Sequence, residues 1–150
     1  MASQSAGILL YRLLGGPEVF LVHPGGPFFA KKDLGSWTIP KGEFSSEDPL
    51  DAALREFEEE TGTRLAGPVL PLLPVRQKGG KTVYAWAISG DIDADRIVSN
   101  TFEIEWPPRS GKRQAFPEID RAAWFGLVEA RLRINAAQAA LIDELETLLV

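Results

Sequence analysis

Two apolar segments near the N-terminus, residues 7–13 and 18–23, have the length and composition of buried β-strands. Gly15, Gly16 and Pro17 lie between them and favour a tight turn. The pattern therefore predicts two strands joined by a turn. Residues 24–37 then form a loop rich in Pro, Gly, aromatic and basic residues. Loops of that length inside a small domain are more often functional than idle.

Further strands are predicted in the second half of the chain. Residues 69–77 and 82–89 flank Gly79 and Gly80, which favour a hairpin turn because both glycines can adopt a positive φ. Residues 101–106 alternate apolar and acidic positions, which predicts a strand with one buried face, and Pro107 and Pro108 end it. A second basic loop is predicted over residues 109–118, and residues 119–125 lead out of it.

Helical periodicity is present in two places. Asp48 and Pro49 favour a helix start and Gly62 favours its end. The predicted buried face of this helix contains Leu50, Ala53, Leu54, Phe57 and Thr61. Asn135 is predicted to cap a C-terminal helix whose apolar stripe contains Leu141, Ile142, Leu145, Leu148 and Leu149. These elements predict an α/β fold, a mixed sheet with helices packed against it, in one domain over residues 1–150.

Composition excludes several kinds of site. The chain has no cysteine and one histidine, which excludes thiolate chemistry, disulfides and a His-based zinc site. The formal charge of −5 argues against non-specific nucleic-acid binding. No segment has the length and hydropathy of a membrane span or the pattern of a signal peptide, so a soluble cytoplasmic protein is expected. Much of the negative charge falls between residues 43 and 60.

Three carboxylates are predicted to converge on the first helix. Glu56 and Glu60 lie one helical turn apart, and Glu59 lies beside them at the edge of the buried face. Clustered carboxylate oxygens favour a hard cation such as Mg²⁺ or Mn²⁺, which shares its ligands readily with phosphates. The pattern thus indicates a polyphosphate substrate. A solvated helix face explains the same glutamates, and Arg55 is equally a plain i,i+4 partner of Glu59.

Residues 55–62, REFEEETG, resemble the centre of the Nudix box, G-x5-E-x7-R-E-U-x-E-E-x-G-U, where U is a bulky apolar residue. The preceding WTIPKGE resembles the strand and loop that lead into that box. Two positions depart from the pattern. Four residues rather than five separate Gly42 from Glu47, and Thr63 replaces the last apolar residue. The shortening is expected in the loop over residues 43–46, which keeps the helix register intact and leaves the placement of Gly42 open.

The resemblance implies a Nudix-type α/β/α sandwich with a mixed central sheet, and it implies roles for particular residues. Glu56, Glu59 and Glu60 would bind a divalent metal, Mg²⁺ or Mn²⁺, and Gly42 would add its carbonyl oxygen. Arg55 would orient the glutamates, and Glu47 would be structural. The segment EIDRAAW, residues 118–124, resembles the E-x5-W segment of diadenosine polyphosphate hydrolases in this family. Glu118 is therefore the first candidate for the general base, with Glu56 the rival and Glu103 and Glu105 third.

Cationic and aromatic residues near the box are candidates for substrate binding. Lys32 and Lys41 precede it, and Arg109 and Lys112 lie in the second basic loop, so contacts with phosphate are expected from some of them. Trp37 is a candidate for stacking on a nucleobase, with core packing as its alternative. His23 is expected to have a packing role.

The resemblance as a whole implies a Mg²⁺-dependent Nudix pyrophosphohydrolase. The chain also resembles bacterial proteins that are known only as predicted NTP pyrophosphohydrolases. The expected substrate is therefore a nucleoside triphosphate or a dinucleoside polyphosphate. Other nucleoside diphosphate derivatives and diphosphoinositol polyphosphates are the alternative substrates. A nucleotide-binding Nudix domain without catalysis and a purely structural domain are the alternatives from other classes. The resemblance also allows a homodimer, because many relatives are dimers.

Overall fold

Nine strands are described in the computed structural model, which covers residues 3–149. They are β1 (Gln4–Leu13), β2 (Pro17–Pro24), β3 (Lys41–Glu43), β4 (Leu70–Pro71), β5 (Val75–Arg76), β6 (Thr82–Ser89), β7 (Thr101–Glu105), β8 (Arg113–Pro117) and β9 (Ile119–Gly126). Seven of them form one sheet in the order β4-β6-β1-β2-β9, with β3 paired to β1 and β5 to β6. β1 and β6 are parallel and the other pairs are antiparallel, which confirms the mixed sheet. The ends of the predicted 1–150 domain lie outside the described residues.

Helices cover both faces of this sheet: α1 (Pro49–Thr61) on one side and α2 (Leu127–Arg133) with α3 (Ala139–Leu148) on the other. Successive residues of a strand point to opposite faces, so β1 contributes to two cores. Its Ile8 and Leu10 pack with Phe57 of α1, and its Leu9 packs with Leu141 of α3. The result is the α/β/α sandwich that the sequence predicts.

The ends of α1 lie where the sequence places them. The Asp48 carboxylate accepts a hydrogen bond from the backbone N–H of Asp51 at 3.2 Å, and Pro49 is the first helical residue. Gly62 ends the helix with φ 81°, and its N–H donates to the Glu58 carbonyl at 2.7 Å. Glycine adopts this left-handed conformation without a steric clash because it has no Cβ atom.

The buried face of α1 is rotated from the predicted one. Leu50 and Leu54 were expected in the core, but both are only half-buried. Ala52 and Glu60 are buried instead, together with Ala53, Phe57 and Thr61. The small alanine side chains let α1 approach the sheet closely, and this rotation carries Glu60 against β3.

The predicted Gly79-Gly80 hairpin is confirmed. Both glycines have positive φ, and the N–H of Gln77 donates to the Lys81 carbonyl at 2.7 Å across the turn. The incoming strand is not continuous over 69–77, because β4 and β5 are separate two-residue strands. Pro74 lies between them and has no N–H to donate to the ladder.

The prediction of a basic loop over residues 109–118 is wrong for half of its length. Residues 113–117 form β8, which pairs with β7 in a two-stranded ribbon outside the main sheet. The apolar and acidic alternation of β7 is present, but its Phe102 and Ile104 are only half-buried. A ribbon without a second layer cannot bury its apolar face fully.

The C-terminal segment contains one helix more than the sequence predicts, since α2 precedes Asn135. The Asn135 side chain caps as expected and accepts from the N–H of Ala137 at 2.9 Å, opening a 3₁₀ turn that leads into α3. Leu141, Ile142 and Leu145 are buried, whereas Leu148 is 47% exposed at the end of the helix. No helix within residues 3–149 is long and apolar enough to span a bilayer.

Candidate functional site

Gly42 lies directly against Glu56, despite the shortened segment between Gly42 and Glu47. Strand β3 pairs with β1 so that Gly42 is opposite Ala6, on the face of the sheet that α1 covers. A Cβ atom built on Gly42 would lie only 2.0 Å from Glu56 Oε2. The shorter loop therefore leaves Gly42 next to Glu56, a placement that the sequence left open.

Glu60 is the most buried carboxylate of the group, with 8% of its surface exposed. Its Oε1 accepts a hydrogen bond from the backbone N–H of Lys41 at 3.3 Å. Burial raises the pKa of Glu60 to about 8, and the neighbouring Glu56 charge adds to the rise. Burial also raises the pKa of Glu56, with Glu59 and Glu118 contributing. The site therefore holds more negative charge than its surroundings neutralise.

Arg55 connects three of the carboxylates. Its guanidinium binds Glu47 in a bidentate manner, through Nε at 3.0 Å and Nη2 at 2.6 Å. Its Nη1 donates to Glu56 Oε1 at 2.9 Å and to Glu59 Oε2 at 2.6 Å. These hydrogen bonds lower the pKa of Glu47 and raise that of Arg55. The planar fork of Arg55 thus restrains the directions in which these carboxylates point.

The donor set suits a divalent cation. Glu56, Glu59 and Glu60 supply carboxylate oxygens and Gly42 a carbonyl oxygen, and hard cations prefer such ligands. Within residues 3–149 no three carboxylate or imidazole groups stand in ready-made coordination geometry. One oxygen each of Glu56 and Glu59 is held by Arg55. A cation here would compensate the buried charge of Glu60, so the residues fit a metal site.

The burial of Glu60 predicts a pH-dependent stability in the metal-free protein. Its pKa rises from 4.5 to about 8 on folding, so the folded state keeps a proton that the unfolded state releases. The free energy of unfolding should therefore fall as the pH rises through that window, by roughly 3 to 5 kcal/mol. Glu60→Gln should lose most of this decline, as measured by urea unfolding in EDTA at several pH values.

Glu58→Gln is the matched control, because Glu58 lies on the same helix but is exposed and faces Arg64 at 3.8 Å. This variant should keep the decline of the wild type. Equal pH slopes in the wild type and Glu60→Gln would contradict the assignment of the buried titrating group to Glu60.

The base of the β7–β8 ribbon brings Glu118 near the carboxylate patch, which is the group formed by Glu56, Glu59 and Glu60. Its backbone N–H donates to the Asn100 carbonyl at 2.8 Å, and the N–H of Asn100 donates to the Glu59 carbonyl at 3.1 Å. Glu118 is half-buried, and its charge contributes to the raised pKa values of both Glu56 and Glu60. The structure therefore places this candidate base within electrostatic reach of the glutamates.

A cavity of about 170 Å³ is lined in part by Lys41, whose backbone N–H donates to Glu60. Its lining also includes Phe29, Gln77, Asn135 and Gln138. Burial lowers the pKa of Lys41, and the nearby Lys81 lowers it further. The cavity combines an ammonium group, three amides and an aromatic ring.

Gln138 supports the inner wall of this cavity. It is 1% exposed, and its Oε1 accepts from the backbone N–H of Ile39 at 3.0 Å. Its Nε2 donates to Thr38 Oγ1 and to Gln77 Oε1, each at 2.8 Å. Sequence reasoning missed Gln77, Asn135 and Gln138, since they come from distant elements and form no contiguous motif. The amide-rich start of the C-terminal helix was the one available signal.

Trp37 is a core residue in this fold. It is 4% exposed, its Nε1 donates to Asp33 Oδ1 at 2.7 Å, and its ring packs edge-on against Phe125. The ring therefore presents no free face for a nucleobase, and its position corresponds to the packing alternative. Lys32 lies on the loop beside the cavity, where its Nζ is 5.3 Å from the Phe29 ring centroid.

Arg109 and Lys112 lie at the turn of the β7–β8 ribbon and are not brought to the glutamates. The Glu105 carboxylate closes this turn by accepting from the N–H groups of Arg109 and Gly111 at 3.2 and 3.0 Å. The five residues of β8 separate Lys112 from Glu118. At the rise of an extended strand this separation is roughly 20 Å. Lys41, whose backbone N–H donates to Glu60, thus lies beside the glutamates, whereas this pair does not.

The chain belongs to the Nudix family, since the family model described as NUDIX domain matches residues 1–145. The mixed sheet between helices agrees with this family, and the chain is accordingly a hydrolase that acts on phosphorus anhydrides. Nudix hydrolases generally require divalent metal ions. No curated protein matches the sequence.

Several solved structures share the fold. An Ap4A hydrolase from C. elegans, crystallised as a binary complex, is 24% identical, with 99% of this chain and 98% of that chain covered and a TM-score of 0.64. The NUDIX domain of Shewanella oneidensis NrtR, complexed with ADP ribose, is 14% identical, with 100% and 90% covered and a TM-score of 0.67. RenU, a Nudix hydrolase from M. smegmatis, is 21% identical, with 98% and 87% covered and a TM-score of 0.61.

Proposed function

We propose that this protein is a Mg²⁺-dependent pyrophosphohydrolase that cleaves a diphosphate linkage in a nucleoside triphosphate or a dinucleoside polyphosphate. The observation that carries this proposal is the buried carboxylate of Glu60 at the backbone N–H of Lys41, together with Glu56 against Gly42 and the cavity lined by Lys41. Mg²⁺ binds carboxylates together with phosphates, whereas the cavity offers groups that suit a nucleoside. Mn²⁺ has similar ligand preferences and should substitute for Mg²⁺.

Glu56, Glu59 and Glu60, with the carbonyl oxygen of Gly42, would hold the metal. When bound, the cation neutralises charge that develops on the phosphate oxygens and polarises the bond to be cleaved. Arg55 keeps the carboxylates oriented through its hydrogen bonds to Glu56 and Glu59. This restraint supports a preorganised site, which lowers the reorganisation needed in the transition state.

Glu118 would accept a proton from the attacking water. A carboxylate general base must be ionised and within hydrogen-bond reach of the attacking water. The backbone link from Glu118 through Asn100 to the end of α1 supports this role, because it holds Glu118 near the glutamates. Lys41 would contact the substrate phosphates, and Phe29, Gln77 and Asn135 would contact the nucleoside in the cavity.

The similarity to Ap4A hydrolase supports a dinucleoside polyphosphate, and the similarity to the NrtR domain in complex with ADP ribose supports a test of nucleoside diphosphate derivatives. Both likenesses concern the fold, and loops determine the substrate within one fold. ADP-ribose and diphosphoinositol polyphosphates therefore belong in the substrate panel beside the nucleotides.

The function is tested by a chromatographic screen of nucleoside triphosphates, dinucleoside polyphosphates, ADP-ribose and diphosphoinositol polyphosphates, with and without Mg²⁺. At least one substrate should be cleaved only when divalent metal is present. Glu59→Gln should lower the rate on the order of 10- to 100-fold, because a metal ligand loses its charge.

The matched variant for this screen is Glu58→Gln, which removes an exposed carboxylate next to Glu59 and should keep the wild-type rate. If no compound is turned over with Mg²⁺ or Mn²⁺, the enzyme proposal fails. Tight nucleotide binding without turnover would favour the non-catalytic binding domain instead.

A further inference from the structure

His23 is the single histidine of the chain and is fully buried near the end of β2. Its Nδ1 lies 2.8 Å from Asp120 Oδ1, and its Nε2 lies 2.7 Å from the carbonyl oxygen of Lys32. The ring also packs edge-on against Trp37, with 5.3 Å between the centroids. Both ring nitrogens therefore face an oxygen at hydrogen-bond distance.

Both of these oxygens are acceptors: one belongs to a carboxylate and the other to a backbone carbonyl. A neutral imidazole carries one N–H, so its second nitrogen would direct a lone pair at an oxygen. Only the imidazolium satisfies both contacts. Asp120 compensates the charge, and Arg121 approaches the same Asp120 oxygen at 4.0 Å from the solvent side. A buried charge is tolerated when it is paired and hydrogen-bonded in this way.

The two partners of His23 belong to different parts of the site. Lys32 lies in the middle of the loop between β2 and Trp37, and this loop contributes Phe29 and Ser36 to the wall of the cavity. Asp120 lies on β9, two residues after the candidate base Glu118. His23 therefore joins the wall of the cavity to the strand that follows Glu118.

Other contacts of the loop lie on either side of Lys32, and before it the Phe28 ring packs edge-on against Trp106 with 5.5 Å between the centroids. Asp33 is held by Trp37 Nε1 at 2.7 Å and by Arg133 Nη1 at 2.7 Å, and the N–H of Gly35 donates to the Leu132 carbonyl at 3.1 Å. These contacts fasten the end of the loop that leads into Trp37. The bond from His23 to Lys32 fastens the loop just after Phe29, where it lines the cavity.

We propose that His23 is a positively charged positioning residue, which with Asp120 holds the cavity-lining loop in place against β9, the strand that follows Glu118. Its kinetic consequence rests on the proposed function, because the loop matters for catalysis only if the cavity binds substrate. Fixing the loop in advance removes an ordering cost from substrate binding. The loss of His23 should therefore weaken substrate binding more than it slows the chemical step.

The charged state is tested by ¹⁵N NMR of the imidazole ring at pH 7 on the wild-type protein. A single histidine makes the ring signals unambiguous. Both nitrogens should show the signature of N–H groups. A neutral tautomer, with one protonated and one unprotonated nitrogen, would overturn the proposal. Asp120→Asn should shift the ring toward that neutral form, since it removes the compensating charge.

The positioning role is tested by kinetics on a substrate identified in the screen. In His23→Gln, one amide donor group replaces the two opposed N–H groups of the ring, so the loop is held less firmly. KM should therefore rise about tenfold, while kcat should change less than about threefold. Asp120→Asn should raise KM by a smaller factor. Arg121→Gln is the matched control, because it removes a charge beside Asp120 and leaves both ring hydrogen bonds in place.

An unchanged KM in folded His23→Gln, or a loss confined to kcat, would overturn the positioning role. If His23→Gln does not fold, Asp120→Asn and the wild-type ring spectrum decide the question. If the screen gives no substrate, the proposed function fails, while the ring spectrum still confirms or overturns the charged state of His23.

Discussion

Replacing Glu118 by glutamine should lower kcat on the order of 10²- to 10⁴-fold and leave KM nearly unchanged. Glutamine keeps the size of the side chain but cannot accept a proton at neutral pH. The backbone link from Glu118 through Asn100 to the end of α1 should persist, because it uses main-chain atoms. Steady-state kinetics on a substrate from the screen, with saturating Mg²⁺, measure this effect.

Glu103→Gln is the matched control for this prediction. Glu103 lies on the β7–β8 ribbon and is exposed, facing Arg113 at 3.6 Å, so its loss should leave kcat at the wild-type value. A rate near wild type in Glu118→Gln would assign the base to Glu56. Glu56 is the alternative because its pKa is raised by burial and by the neighbouring carboxylates.

Gly42→Ala should lower kcat about 100-fold through a steric effect on Glu56. The new Cβ would lie 2.0 Å from Glu56 Oε2, so the carboxylate must leave its position. A displacement of about 1 Å at a catalytic group can cost about a hundredfold in rate. The metal dependence should weaken as well, because Glu56 and the Gly42 carbonyl are proposed ligands. Titration of activity with Mg²⁺ measures both effects.

Gly126→Ala provides the comparison for Gly42→Ala. A Cβ on Gly126 meets nothing within 4 Å, and its φ of −62° suits alanine. Activity and Mg²⁺ dependence should be those of the wild type. Full activity in folded Gly42→Ala would show that the position of Glu56 in contact with Gly42 is not required for catalysis.

The sequence alone was sufficient for the ends of α1 and the spacing of its glutamates, whereas packing on the sheet decided which face of the helix is buried. Asp48, Pro49 and Gly62 define the ends of the helix through local hydrogen bonds and backbone conformation, which depend on near neighbours only. The spacing of Glu56 and Glu60 then places both carboxylates on one side of a helix of 3.6 residues per turn. The Nudix resemblance of the same segment agrees with the family model over residues 1–145.

Contacts between elements distant in the chain could not be read from the sequence. The proximity of Gly42 to Glu56 depends on the pairing of β3 with β1, and the burial of Trp37 depends on Phe125 and Asp33 packing around it. The cavity lining combines residues separated by about a hundred positions, such as Phe29 and Asn135.

The carboxylate patch and helix α1 are thus properties of local sequence, because helical geometry sets the spacing of side chains within a few residues. The position of Glu118 near the glutamates, the cavity lined by Lys41 and the buried contacts of His23 exist only in the folded chain. Each depends on strand register and layer packing, in which residues far apart in sequence become neighbours. Pairing of this kind carries no periodic signal along the chain, so the tertiary structure is needed to identify it.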